Sequence, residues 1–221
     1  MTYRAVEVLR SCEYILCEDT RHSGILLKHY DICKPLKSYH KFNEAKREEE
    51  LLEDLRGGKS VALISDAGTP GIADPGARLV QKCVDEGISV TSIPGACAAI
   101  TALTSSGLET DIFQFVGFLP KKKQDLETKL RNFLQYPGTT ICYESPRRLN
   151  TTLEMIHSLS SDRKVSVARE LTKKFEEVLS GTAQELMAHF QESILKGEIV
   201  LLLSGKTTEI VEWGSLSPLE H

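Results

Sequence analysis

Apolar residues near the start of the chain recur with the period of a helix. Ala5, Val8, Leu9 and Cys12 stand at i, i+3, i+4 and i+7, which predicts an amphipathic helix over residues 2–12. Residues 14–17 (YILC) abandon that period for an unbroken apolar run, the pattern of a strand covered on both faces. A polar cluster at 18–22 follows, then a helical stretch over 23–30 and a strand over 35–40. Asn43 reads as the N-cap of a charged helix over 44–56 that Gly57 and Gly58 end. Residues 60–64 (SVALI) predict a strand, 65–76 a glycine-rich loop, 77–86 a helix and 88–93 another strand. After a turn at Pro94-Gly95, a helix of small residues over 96–106 closes at Gly107. Strands and helices alternating at this spacing predict a mostly parallel sheet with helical crossovers.

Beyond about residue 110 the alternation loosens and strands gain weight. The pattern predicts strands over 112–118, 139–143, 165–168, 175–179 and 199–203, with helices over 124–135, 147–159 and 183–190. Two of those strands follow one another without an intervening helix, which predicts an antiparallel component. The chain therefore reads as an α/β protein of two domains, residues 1–110 and 111–214. Residues 215–221 are set apart, because the closing PLEH resembles the start of a vector-derived histidine tag.

Composition narrows the class. Hydrophobic residues make up 41% and charged residues 26% of 221, ordinary values for a globular protein. No stretch of about 18 apolar residues exists to span a membrane, and the first residues lack the apolar core of a signal peptide. Six scattered cysteines, with no C-x-x-C and no histidine cluster, predict reduced thiols in a cytoplasm and no metal site. The formal net charge of −4, from 27 basic and 31 acidic residues, tells against a protein that grips nucleic acid by its whole surface. Any nucleic-acid contact has to come from local basic patches, from a subunit partner, or from RNA already held in shape by other proteins.

Four segments are candidates for chemistry. Residues 65–76 (SDAGTPGIADPG) crowd three glycines and two prolines between a strand and a helix, where open α/β sheets place their ligands. The loop is neither G-x-G-x-x-G nor a P-loop. A tight strand–helix connection needs about one glycine, so a loop this rich favours ligand binding over a plain connection. Residues 93–99 (IPGACAA) open a helix with small residues, which suits either close packing or a ligand at the helix N-terminus. Glu18-Asp19-Thr20-Arg21-His22 is either a surface turn or a catalytic group at a strand's end. In the second half, Tyr143–Arg148, Ala168–Lys173 and Lys196–Glu198 hold Arg/Glu pairs that suit salt bridges as well as function. The run Lys121-Lys122-Lys123 reads as a solvated loop, with phosphate contact as the alternative.

Taken in order, EDTRHSGILLKHY, SYHKFNE, LISDAGTPGIADPG, SIPGACAAITALTSSGLETDIFQFVGFLP, CYESPRRL, VARELTKKFEEVLSGT and GEIVLLLSG resemble the ribosomal RNA small subunit methyltransferase I family, a branch of the tetrapyrrole-methylase-like enzymes. The resemblance covers nearly the whole chain. It implies a homodimer of two-domain α/β subunits of tetrapyrrole-methylase type, with S-adenosyl-L-methionine in the cleft between domains. It also implies methylation of a cytidine ribose 2′-oxygen in the decoding region of small-subunit ribosomal RNA. Gly68, Thr69 and Pro70 stand where precorrin and uroporphyrinogen methylases have Gly-Asp-Pro, and Ile72 and Ala73 continue that cofactor loop. Cys97 and Ala98 fall where relatives place small or hydroxylated residues near the cofactor, and Tyr143 and Ala168 where the second domain closes over it. Relatives open with a strand and a V-A-T-P-I-G-N-L-G-D-type loop that this chain is expected to lack.

The expected mechanism follows from the acceptor. A ribose hydroxyl is a weak acid, so a proton acceptor helps its attack, and Asp19 or Glu18 is nominated for that role. Arg21 is nominated to orient ribose or phosphate, with His22 and Glu170 in reserve. Two other readings remain open: a methylase of a tetrapyrrole-like small molecule, and a non-catalytic dimeric RNA-binding module. Neither a membrane nor DNA is an expected partner.

Overall fold

The computed structural model describes residues 1–191 and 195–206; the tail at 215–221 lies outside the described residues. The chain divides into two compact units, Met1–Ala98 and the residues from Ala99 onward.

The first unit is built around one strand. β1 (Tyr14–Cys17) is buried along its whole length and pairs in parallel with β2 (Leu36–Ser38) on one side and β3 (Val61–Leu63) on the other. Successive side chains of a strand point to opposite faces, and both faces are covered here. Tyr14 and Leu16 pack with Leu51 and Leu52 of α3 (Glu44–Arg56) and Leu79 and Cys83 of α4 (Ala77–Asp85). Ile15 packs on the other face with Val6 and Leu9 of α1 (Tyr3–Ser11) and Leu27 of α2 (Thr20–His29). Ile15 and Leu16 are fully enclosed, and each contributes about 1.5–3 kcal/mol by burial. This double covering is why YILC carries no polar alternation.

Side chains cap α1 and α2. Thr2 caps α1 by accepting from the Ala5 amide at 3.2 Å. Asp19 caps α2 in the same way, so that helix begins at Thr20 and absorbs the polar cluster, three residues earlier than its apolar period predicts. Asn43 makes no capping bond to α3. Its side chain is taken by the preceding turn, with Oδ1 accepting from the His40 amide at 2.8 Å and Nδ2 donating to the Ser38 carbonyl at 3.1 Å.

The strand expected over 88–93 is not formed. Residues 89–92 are exposed and join no ladder among the described residues, where β3 pairs only with β1. A β-pattern becomes a strand only against a partner, and SVTS has none there.

The second unit opens on α5 (Ala98–Ser106), whose first residue closes the preceding unit. It then forms a five-stranded sheet of β4 (Phe113–Phe118), β5 (Thr139–Glu144), β6 (Lys164–Arg169), β7 (Glu177–Thr182) and β8 (Ile199–Leu203), in the order β4-β5-β8-β6-β7. Only β4 and β5 run parallel; the other three pairings are antiparallel, as the uneven strand pattern predicts. α6 (Lys123–Gln135), α7 (Leu149–Leu159) and α8 (Ala183–Phe190) cover one face, packing on Cys142, Val165, Val167, Leu201 and Leu203. Thr182 and Glu185 close a reciprocal capping box at the head of α8. Ser180 Oγ donates to the Ser106 carbonyl at 2.8 Å, tying the end of α5 to β7. The unit thus begins at α5, ahead of the change in sequence pattern near residue 110. β7 starts at Glu177, two residues later than the pattern predicts. Glu170 and Thr172 take positive φ (50° and 66°), and turn bonds from Lys173 to Glu170 and from Glu176 to Lys173 keep that stretch in the connecting loop.

Candidate functional site

Parallel strands aim their carboxyl ends at one edge of the sheet, and three loops of the first unit meet there. Cys17 is in register with Ser38, and Leu16 with Leu63, so Glu18, Tyr39 and Ile64 leave the sheet side by side. Two more ladder-like bonds extend this edge, from the Tyr39 amide to the Cys17 carbonyl (2.8 Å) and from the Ile64 amide to the Leu16 carbonyl (2.9 Å).

The loop over 65–76 is held by its own backbone. Gly68, Gly71 and Gly76 adopt φ of 83°, 80° and 125°, and Ala73 adopts 62°, a region that L side chains enter at a cost. The Gly71 amide donates to the Pro75 carbonyl at 3.1 Å and that of Ile72 to the Thr69 carbonyl at 3.3 Å. Its glycines do different jobs. A Cβ on Gly76 would stand 2.5 Å from Leu63 Cδ2, inside the packing of β3. A Cβ on Gly68 would meet nothing closer than the Ala96 carbonyl at 3.8 Å, and Gly68 is exposed. Gly76 therefore serves packing, whereas Gly68 bends a bare stretch of backbone outward.

Two contacts tie this loop to its neighbours. The Asp66 amide donates to Glu18 Oε1 at 3.3 Å, joining the loop to the end of β1. Thr69 Oγ1 donates to the Ala96 carbonyl at 2.9 Å, joining it to the residues before α5. Pro70 is half-buried beside Thr69; Ile72 and Ala73 are exposed; Cys97 and Ala98 are half-buried. The structure so gathers Glu18, Asp19, Gly68, Thr69, Pro70, Ile72, Ala73, Cys97 and Ala98 into adjoining loops of one unit.

Asp19 and Arg21 form a closed pair. Asp19 Oδ1 accepts from the Arg21 amide at 2.8 Å and from Nε at 3.2 Å, while Oδ2 accepts from Nη2 at 2.9 Å. Arg21 is 90% exposed along its side chain and His22 is exposed. These bonds favour the charged carboxylate and hold its pKa down to about 2, with the guanidinium of Arg21 the largest cause and its backbone amide the next. Because the folded pKa lies below the unfolded one, the stabilisation is present above the ordinary aspartate range. It is lost as pH falls toward 2. A carboxyl-detected NMR titration is expected to place the Asp19 midpoint near 2 and, in Arg21→Ala, back toward the ordinary range; an unmoved midpoint would refute the pairing.

In the second unit, Tyr143 and Ala168 both register with Val200, from β5 and β6 respectively, so the three form one row across β8. Their neighbours Cys142, Val167 and Leu201 face the helices, which places the row on the opposite face. Tyr143 stacks edge-on with Phe115 and Phe118, at centroid distances of 4.9 and 5.3 Å. Glu144, only 3% exposed, accepts from the Ser145 amide (2.7 Å) and Thr152 Oγ1 (2.8 Å) and pairs with Arg148 at 3.3 Å. Arg148 also donates to the carbonyls of Leu119 and Pro120. Glu170 accepts from Lys173 Nζ at 2.9 Å and the Glu198 amide at 3.0 Å, and those bonds lower its pKa. The Arg/Glu groups of this unit are structural fasteners.

Residues 1–187 match the model of the tetrapyrrole (corrin/porphyrin) methylases. The chain is 44% identical to a ribosomal RNA small subunit methyltransferase I of Halalkalibacterium halodurans, over 100% of this chain and 78% of that protein. It is 48% identical to the protein of the same name from Synechocystis, over 95% of this chain and 75% of that one. The chain belongs to the ribosomal RNA small subunit methyltransferase I family, within the tetrapyrrole methylases. A cobalt precorrin-4 methyltransferase of cobalamin biosynthesis shares the methylase fold with a TM-score of 0.66, at 16% identity over 92% of this chain and 88% of that one.

Some features of this methylase were less legible than its glycine loop. The Glu18–Asp66 contact joins residues 48 positions apart and leaves no local trace. His40, whose buried Nδ1 has no hydrogen-bond partner, and Phe42 lie in the SYHKFNE segment, to which sequence assigns no role. The available signal was an aromatic residue between lysines and outside any apolar period.

Proposed function

We propose that the chain transfers a methyl group from S-adenosyl-L-methionine to ribosomal RNA of the small subunit, at the ribose 2′-oxygen of a cytidine in the decoding region. The observation that carries this reading is the contact of Glu18 with Asp66, which sets a carboxylate against the glycine loop at the carboxyl edge of a parallel sheet. The relatives named for small-subunit ribosomal RNA supply the acceptor class, and the family resemblance supplies the ribose oxygen and the cytidine.

The loops fit the cofactor. Gly68 presents uncovered backbone, Thr69 pins the loop to Ala96, and Ile72, Ala73, Cys97 and Ala98 offer small or apolar contacts beside it. Pro70 belongs to the same loop, and Tyr143 and Ala168 of the second unit are assigned to cofactor binding by the family resemblance alone. The cofactor supplies an electrophilic methyl group, and the protein supplies alignment and a place for the proton. Glu18 takes the proton of the ribose hydroxyl as the oxygen attacks, and Arg21, held by Asp19, steadies the neighbouring phosphate or ribose. The resemblance extends to action as a homodimer, and a ribosomal substrate places the work in the cytoplasm. Among the described residues no helix is long and apolar enough to cross a membrane.

Labelled S-adenosyl-L-methionine incubated with the protein and small ribosomal subunits should put label on one cytidine ribose, located by nuclease mapping and mass spectrometry. Label on a base, or transfer to precorrinoids in preference to RNA, would refute the reading. The loop has its own test. Gly68→Val forces a β-branched residue into positive φ, at roughly 1–3 kcal/mol. Cofactor affinity is expected to fall about 5–150-fold while the thermal transition stays cooperative. Unchanged affinity by calorimetry would remove this loop from the cofactor site.

A further inference from the structure

Phe42 is the most exposed large apolar side chain described, at 95%. It is not on a loose loop. The Asn43 and Glu44 amides both donate to the His40 carbonyl (2.9 and 3.0 Å), and the Asn43 side chain bridges His40 and Ser38. The turn is stapled to the end of β2 and holds the ring out in water. The His40 ring lies edge-on to it at 6.1 Å, with its own Nδ1 buried and unpartnered. Lys41 beside it and Lys46 one turn further along are exposed and make no ion pair among the described residues. β1 and β2 are parallel and in register, so this turn rises from the same sheet edge as Glu18, Asp19 and Arg21.

An aromatic face offered to solvent between free cations suits an unpaired nucleotide. Bases stack on such rings, and the cations take the flanking phosphates. In a chain of net charge −4, this is a local patch at which cations and an exposed aromatic ring meet. We propose that Phe42 is a stacking platform for an unpaired base of the RNA, and that Lys41 and Lys46 hold the adjoining phosphates. This rests on the reading of the chain as an RNA methylase. It adds that the acceptor strand is single-stranded where it meets the protein and that the β2–α3 turn positions it. His40 closes the back of the platform.

The probe is a short pyrimidine-rich oligoribonucleotide carrying one 2-aminopurine, whose fluorescence reports stacking. Phe42→Ala should weaken its binding about 5–150-fold and abolish the stacking signal, while Phe42→Tyr keeps both. The double change Lys41→Ala and Lys46→Ala should lower the slope of log affinity against log salt by about 1.4, the share of two phosphates on a single strand. Affinity for S-adenosyl-L-methionine should be that of the parent in every variant. Parent-like RNA binding by Phe42→Ala overturns the platform. So does a change in sedimentation with RNA affinity unaltered, which would make Phe42 a contact between copies of the chain. If the parent methylates small-subunit RNA and Phe42→Ala does so with the same KM, the platform alone falls. If the parent neither binds RNA nor methylates it, the functional reading beneath it falls too.

Discussion

Glu144→Ala is expected to destabilise the second unit by about 3–5 kcal/mol, the cost of breaking a buried ion pair from one side. The carboxylate is 3% exposed, accepts from the Ser145 amide and the Thr152 hydroxyl, and is the counter-ion of the Arg148 guanidinium. Removing it leaves two donors and a half-buried cation facing a void. Arg148 keeps its bonds to the Leu119 and Pro120 carbonyls, so its charge stays in place without a counter-ion. Urea denaturation would measure the loss, and a double-mutant cycle with Arg148→Ala would assign it. Coupling near zero would mean that the pair contributes nothing beyond its separate hydrogen bonds. Glu144→Gln is expected to fall between, since one amide oxygen replaces two acceptors.

This network explains why a segment such as YESPRR is ambiguous in sequence. A carboxylate, a proline and two arginines after a strand suit a salt-bridged turn as well as a reaction centre. Burial decides between them, and burial depends on residues far along the chain. Where the physics is local, the sequence was readable. The apolar run of β1 follows from helices on both its faces. Helix α8 begins where Thr182 and Glu185 form their box, and β8 is IVLLL, buried at every position. The glycine loop was legible because positive φ is a property of single residues.

Where a partner settles the outcome, sequence misled. Residues 88–93 have strand composition, yet strand formation needs a neighbour to bond. Asn43 is a favoured capping residue, but its amide is used by the turn behind it. Asp19 carried an unread signal: an aspartate at the end of a strand, with a helical period close behind, is a cap as well as a candidate base. Its polarity drew attention to chemistry, and its first use is structural.

The largest effect is expected from Glu18. In single-turnover transfer to small ribosomal subunits, Glu18→Gln should slow the methyl step by about 10²–10⁴-fold, the usual contribution of a positioned proton acceptor. Glutamine can still accept from the Asp66 amide, so the loop should keep its place and cofactor affinity should be nearly unchanged. Asp19→Asn is the comparison that gives this result its meaning. Asparagine caps helices as well as aspartate, so α2 should hold, while Arg21 loses its counter-charge. The Asp19 carboxylate, with its pKa near 2 and three bonds from Arg21, is a weak base already occupied. Glu18 gives up only one long hydrogen bond to the loop. Asp19→Asn should therefore cost less than Glu18→Gln in the methyl step and act mainly through RNA engagement, as Arg21→Ala should. If Asp19→Asn slows the chemistry and Glu18→Gln leaves it fast, the two carboxylates exchange roles. If both variants keep near-parental single-turnover rates, the proton goes elsewhere and the edge of the first sheet serves binding alone.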